Sequence, residues 1–212
     1  MSAHSVTTQS QVSPEQGTDD KGRRRFLIAA TTVVGGIGAG FASVPFILSL
    51  QPSAKTRAAG APVEADISKL EDGQRIIVEW RGKPVWIVKR TQQNLTELAT
   101  LTNKLRDPTS EEPQQPAYAK NEYRSIKPEY LVVIGICTHL GCSPSYVTAD
   151  DPSAKNLMSD WKGGFFCPCH GSFFDLAARV YQGVPAPTNL VVPPHKYLSG
   201  TRVLVGVDQD GA

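Results

Sequence analysis

Uncharged, mostly apolar positions run unbroken from Phe26 to Leu50. About 25 residues at 1.5 Å each make roughly 37 Å of helix, enough to cross a hydrocarbon core of about 30 Å with tilt. The run exceeds the apolar region of about 7–15 residues in a cleaved secretion signal, so it reads as a retained transmembrane helix. Ala59-Gly60-Ala61 nevertheless has the small-residue form of a cleavage site. Residues 1–22 hold Ser, Thr, Gln and Asp with little to bury and read as a disordered tail. Residues 51–61 are small and polar without apolar periodicity, which predicts a flexible hinge reaching roughly 35 Å when extended. From residue 62 the period changes. Arg75–Trp80 and Pro84–Lys89 flank Arg81-Gly82-Lys83, which predicts a hairpin. Leu95, Leu98, Leu101 and Leu105 fall at helical spacing. Residues 107–128 read as an irregular excursion rich in Pro, Glu, Gln and Tyr. Tyr130–Ile136 reads as a buried strand. Tyr146–Lys162 reads as a polar connection to a segment Gly163–Phe166, with Leu190–Val192 and Arg202–Val207 closing the domain. Many short strands with Gly and Pro turns predict a mainly β domain, an antiparallel sandwich or barrel.

Charge changes the picture at the N-terminus. The formal net charge of +2 divides unevenly: the first 61 residues carry six basic and three acidic side chains, the remainder sixteen and seventeen. No basic face offers itself to nucleic acid. Arg23, Arg24 and Arg25 precede the apolar run directly and, by the positive-inside rule, stay cytoplasmic while the rest crosses. Arg23-Arg24-Arg25-Phe26-Leu27, with the pattern Arg-Arg-X-Phe-Leu, also looks like a twin-arginine export signal. Gly36 and Gly40 have the spacing that lets a second membrane helix approach closely.

All four cysteines, and two of the four histidines, sit in two short boxes: Cys137-Thr138-His139-Leu140-Gly141-Cys142 and Cys167-Pro168-Cys169-His170-Gly171-Ser172. Thiolates and imidazoles converging from two loops suit a borderline or soft metal. Three sites are compatible with this inventory. A structural zinc site could take Cys₂His₂, although zinc pairs usually run Cys with Cys and His with His. A Rieske centre has one iron on two Cys and the other on two His, each loop supplying one of each; Cys137 with Cys167 and His139 with His170 match that spacing. Two disulfides with incidental histidines are the third. Of the other histidines, His4 falls in the tail and His195, beside Pro193-Pro194, reads as a surface residue.

These boxes, with Gly183-Val184-Pro185-Ala186-Pro187, resemble the Rieske iron–sulfur subunits of quinol–cytochrome c oxidoreductases, the cytochrome bc complexes. The resemblance implies a Rieske-type antiparallel β sandwich over 62–212 with a cluster-binding subdomain at about 136–187, preceded by one transmembrane helix within 23–50. It implies one 2Fe–2S cluster held by Cys137, His139, Cys167 and His170, a Cys142–Cys169 disulfide tying the loops, and a Ser172 hydroxyl donated to a bridging sulfide. His170 would hydrogen-bond the quinol, with His139 the other histidine of the reactive tip. The implied partners are cytochrome b, a membrane-bound c-type cytochrome, quinol and membrane lipid, in a dimeric complex. The implied location is the bacterial inner membrane, single-pass, N-terminus cytoplasmic and cluster domain periplasmic, an oxidising compartment where a disulfide persists. Phe174 stands where many relatives have tyrosine. A ring-hydroxylating oxygenase needs a further iron on two His and a carboxylate, and too few histidines remain. The alternative is a Rieske electron carrier of another exported oxidoreductase, such as arsenite oxidase.

Overall fold

The computed structural model describes residues 16–54, 56 and 60–208 and divides into two compact units, one ending at Ser53 and the other beginning at Ala54. In the first unit, α1 spans Gln16–Ser49. Its Asp20–Ser49 portion has a mean hydropathy of 1.8 and none of its apolar window buried, long and apolar enough to cross a membrane. The hydroxyls of Thr31 and Thr32 bond back to the carbonyls of Leu27 and Ile28, so the helix carries their polarity internally. Residues 16–22, expected in the tail, are helical: extending an existing helix adds one hydrogen bond per residue without a new nucleus, and no proline intervenes. The rest of that tail, and part of the expected hinge at 51–61, lie outside the described residues.

Among the described residues, the second unit is built on nine strands in three antiparallel sheets. Strands β1 (Val63–Asp66), β9 (Arg202–Val205) and β8 (His195–Tyr197) form one, in the order β1-β9-β8. Strands β2 (Arg75–Trp80), β3 (Lys83–Lys89) and β4 (Tyr130–Ile134) form the second. Strands β5 (Ser145–Val147), β6 (Gly164–Cys167) and β7 (Ser172–Phe174) form the third. The expected hairpin is present, with Trp80 opposite Lys83 and a two-residue turn at Arg81-Gly82.

Strands β3 and β4 of the central sheet are buried on both faces. Val85, Ile87, Val132 and Ile134 point into a core shared with Ala65, Val203 and Val205 of the first sheet. Trp86, Val88, Leu131 and Val133 point the other way, into a core with Cys137, Phe165, Cys167 and Phe174. Side chains alternate along a strand, so a strand covered on both sides must be apolar throughout. That is why residues 130–136 read as one unbroken run. The strand stops at Ile134, and Gly135 follows where any side chain would collide with the Trp86 indole.

Three expectations are corrected. The leucine-spaced helix α2 covers only Gln92–Thr100, capped by Thr91 and Asn94; Leu101 and Leu105 are buried beyond its end around a 3₁₀ turn. Leu190–Val192 forms no strand, because Pro193 and Pro194 lack the N–H groups a ladder would need. His195 is fully buried rather than superficial; its backbone exchanges hydrogen bonds with the Tyr118 hydroxyl.

The connection between the boxes also does more than link them. It contains β5, a single helical turn α3 (Ala154–Leu157) and the buried Trp161, whose indole donates to the Val147 carbonyl.

Candidate metal centre

The two boxes adopt matching loops. In the first, which follows β4, the Gly141 N–H bonds to the Cys137 carbonyl at 3.0 Å. In the second, between β6 and β7, the Gly171 N–H bonds to the Cys167 carbonyl at 2.9 Å. Each glycine lies four residues after its cysteine and closes the loop at positive φ, 84° and 73°, a conformation that penalises side chains. Each loop so turns its own histidine toward the other. The His139 and His170 rings meet edge to face, with centroids 4.7 Å apart. Cys142 and Cys169 form a disulfide across the loops. Cys137 and Cys167 remain as the two free thiols, both buried.

The donor set suits a metal centre. The His139 Nδ1 is buried and finds no hydrogen-bond partner among the described residues, as a nitrogen reserved for a metal would. Burial pushes the Cys137 thiol up, while the His139 backbone N–H and the Ser172 hydroxyl pull it the other way. The sulfurs of Cys142, Cys167 and Cys169 also lie within 4.8 Å of one another. They make no metal triad, since two are bonded to each other and have no thiolate to offer. His139 is half-buried, His170 exposed, and Leu140 beside them 72 % exposed. The centre is therefore a protruding tip. A cleft of about 580 Å³ elsewhere, lined by Asp72, Thr91, Asn94, Tyr146 and Asp150, holds none of the four donors.

Ser172 is buried at the start of β7, its Oγ accepting the Ala186 N–H at 3.0 Å. With that acceptor side occupied, the hydroxyl is free to donate toward Cys137, the contact noted above. Phe174, two residues on, lies on the same face and is fully buried in the core that contains both free thiols.

The residues of the chain have recognisable relatives. The family model "Rieske [2Fe-2S] domain" matches residues 107–195, and "Ubiquitinol-cytochrome C reductase Fe-S subunit TAT signal" matches residues 14–53. The ubiquinol-cytochrome c reductase iron-sulfur subunit of Allochromatium vinosum is 64% identical over 193 residues, covering 91% of this chain and 92% of the relative. The chain belongs to the ubiquinol-cytochrome c reductase iron-sulfur subunit family. The family member of Bradyrhizobium diazoefficiens is 43% identical over 89% of this chain and 96% of its own length. A chain of a solved hyperthermophilic respiratory complex III aligns at a TM-score of 0.44 and 26% identity, over 84% of this chain and 98% of that one. As a Rieske iron–sulfur subunit, the protein carries a 2Fe–2S cluster, and its export-signal match and apolar helix fit a bacterial membrane-anchored subunit.

Some of this iron–sulfur subunit's site escapes a reading of the sequence. Thr138 Oγ1 donates to the Thr188 carbonyl at 2.7 Å, tying the first loop to the segment after Pro187. Three buried arginines, Arg90, Arg124 and Arg179, bind carbonyls of Leu98, Pro108, Tyr123, Pro128, Leu176–Ala178 and Leu190. They tie the 107–128 excursion and α2 to the segment 176–179 and to Leu190. Burial lowers the Arg90 and Arg124 guanidiniums to about 10, still well above neutral, so they stay charged. Charged residues in a polar stretch carry no periodic signal that would mark them as buried.

Proposed function

We infer that this chain is the electron-transfer subunit of a quinol–cytochrome c oxidoreductase, complex III, working with cytochrome b and cytochrome c1. The observation that carries the reading is the meeting of two loops that each offer one free cysteine and one histidine, cross-linked by the second pair of cysteines. Relatives covering most of the chain bear the name of that enzyme's iron–sulfur subunit, which favours it over the carrier of another exported oxidoreductase.

At residue level, Cys137 and Cys167 hold one iron of the cluster and His139 and His170 the other. When bound, the cluster supplies a one-electron acceptor with a potential between roughly −150 and +300 mV, set by its histidine ligands. His170, exposed at the tip, presents its outward ring nitrogen to the quinol hydroxyl and takes up the proton there. The exposed Leu140 seats the tip against an apolar wall and excludes water from that hydrogen bond. Thr138 and Ser172 keep the two loops and the 183–188 segment in register around the ligands. The N-terminus lies in the cytoplasm, α1 crosses the bacterial inner membrane in contact with lipid, and the tip faces the periplasm in a dimeric complex.

The test is purification of the tagged full chain from membranes of its own host. Haems b and c should co-purify, with two non-haem iron and two labile sulfide per chain. Replacing His139 or His170 by a non-ligating side chain should abolish the Rieske EPR signal. Stoichiometric zinc without labile sulfide would overturn the cluster assignment; a cluster without haem b would overturn the complex.

A further inference from the structure

The segment 183–188 is held by side chains at four backbone positions, 184, 186, 187 and 188. Ala186 donates its N–H to Ser172 Oγ at 3.0 Å, and the Thr188 carbonyl accepts from Thr138 Oγ1 at 2.7 Å. The other two positions belong to one side chain. Arg106 Nη2 donates to the Val184 carbonyl at 3.0 Å, and its Nη1 to the Pro187 carbonyl at 3.3 Å. The guanidinium thus spans the two carbonyls that bracket Ala186, whose neighbours Pro185 and Pro187 have no N–H to offer instead.

The root of that side chain is fixed too. The Arg106 N–H bonds to the Val180 carbonyl at 2.9 Å, the Gln182 N–H to the Lys104 carbonyl at 2.8 Å, and Leu105 bridges Tyr181 between them. A planar fork on a locked root imposes a fixed separation on its two acceptors, which a lysine point charge does not.

We propose that Arg106 is a positioning residue of the metal centre. By gripping Val184 and Pro187 it aims the Ala186 N–H at Ser172 Oγ, which turns the serine's proton toward the Cys137 sulfur. A donor to ligand sulfur stabilises the reduced, more negative form and so raises the potential. Without the grip, the segment relaxes, the serine rotor is released and the potential falls. The proposal rests on the reading of Cys137 as a ligand with Ser172 as its donor. Arg106 is exposed, so its loss buries no unpaired charge and leaves the core intact.

A cation near the centre would also raise the potential by charge alone, and the test separates the two. Redox titrations, followed by the cluster's EPR and circular dichroism, are run on the full chain in its membrane complex. The variants are Arg106→Gln, Arg106→Lys, Ser172→Ala and the Arg106→Gln/Ser172→Ala double. Positioning predicts that Ser172→Ala lowers the potential and that Arg106→Gln lowers it by no more than that. Arg106→Lys should fall with Gln despite keeping its charge, and the double variant should match Ser172→Ala. Wild-type potential in Arg106→Lys, or additive shifts in the double variant, would overturn the proposal and leave Ser172 as a donor. An unmoved potential in Ser172→Ala would overturn the serine reading and the proposal with it. Arg106→Lys keeps the side-chain bulk and charge, so it supplies the answer even if the glutamine variant loses its cluster.

Discussion

Phe174 lies on the face of β7 that also carries Ser172, in the buried core shared with Cys137 and Cys167. A tyrosine there brings a hydroxyl into the core that holds the Cys137 and Cys167 sulfurs, the pair proposed to bind the cluster. Reduction adds negative charge, so a donor bonds the reduced state more strongly than the oxidised one. A hydrogen bond to a charged acceptor is worth about 1.5–3 kcal/mol in full. If about 1 kcal/mol of that is differential, Phe174→Tyr raises the one-electron potential by roughly 40 mV, since 59 mV is a tenfold change. Redox titration by EPR measures it. A potential that stays or drops would mean the added hydroxyl is directed away from the sulfurs. The opposite case at this scale is the His139 Nδ1, a buried nitrogen without a partner among the described residues, whose burial costs free energy that a bond to a metal would offset.

Among the elements, the two ligand loops are too short to hold a shape by packing. Each is closed by one glycine hydrogen bond, and the disulfide is the covalent link between them. It joins positions 27 apart in sequence. Chain-entropy reasoning puts the stabilisation from such a closure at about 3–4 kcal/mol. Cys142→Ser, or Cys169→Ser, keeps all four metal donors but frees the loops. The expected result is a cluster that assembles, decays faster and loses its circular dichroism at a lower temperature than in wild type. Wild-type lifetime in either variant would show that the loops are held by the segment 183–188 alone. The β6–β7 hairpin, by contrast, needs no such staple, because Phe165, Cys167, Ser172 and Phe174 anchor its inner face in the core.

Across the whole molecule, the central sheet has a core on each side, one facing the metal tip and the other the C-terminal sheet. His195 lies in that C-terminal sheet, against the Tyr118 and Tyr197 rings, with its Nδ1 2.8 Å from the Pro193 carbonyl. Burial holds its imidazole below the ordinary value of 6.5, against a smaller upward pull from that carbonyl. The unfolded chain therefore takes up a proton that the native one resists. Stability is fully present above about pH 6.5 and is lost as pH falls from there toward the depressed native value, by at most about 1.4 kcal/mol per pH unit. Guanidinium unfolding at pH 7 and pH 5 should show a smaller acid loss in His195→Phe than in wild type. Equal losses would mean that His195 titrates alike folded and unfolded. The cluster histidines and the carboxylates contribute equally to both proteins, so the difference isolates this residue.

The donor types, their spacing and the apolar runs were all legible along the chain, because each is a local property. A thiolate beside an imidazole in each box announces metal chemistry wherever the fold puts it, and about 25 uncharged residues announce a membrane helix by length alone. The unbroken apolar run at 130–136 announced a strand covered on both faces, though not what covers it. The rest required the chain to be folded. Leu101 and Leu105 continue a helical period past the end of α2, and only the tertiary contacts show the helix stopping at Thr100. His195 follows two prolines like a surface residue but is buried, because Tyr118, 77 positions away, closes over it. Arg124 and Arg179 carry the charge that sequence patterns assign to solvent yet are buried, and Arg106, although exposed, is bound in the same way. They act through carbonyls 53 to 81 residues distant, and no one-dimensional signal records them, since every backbone carbonyl looks alike until the fold selects which ones converge.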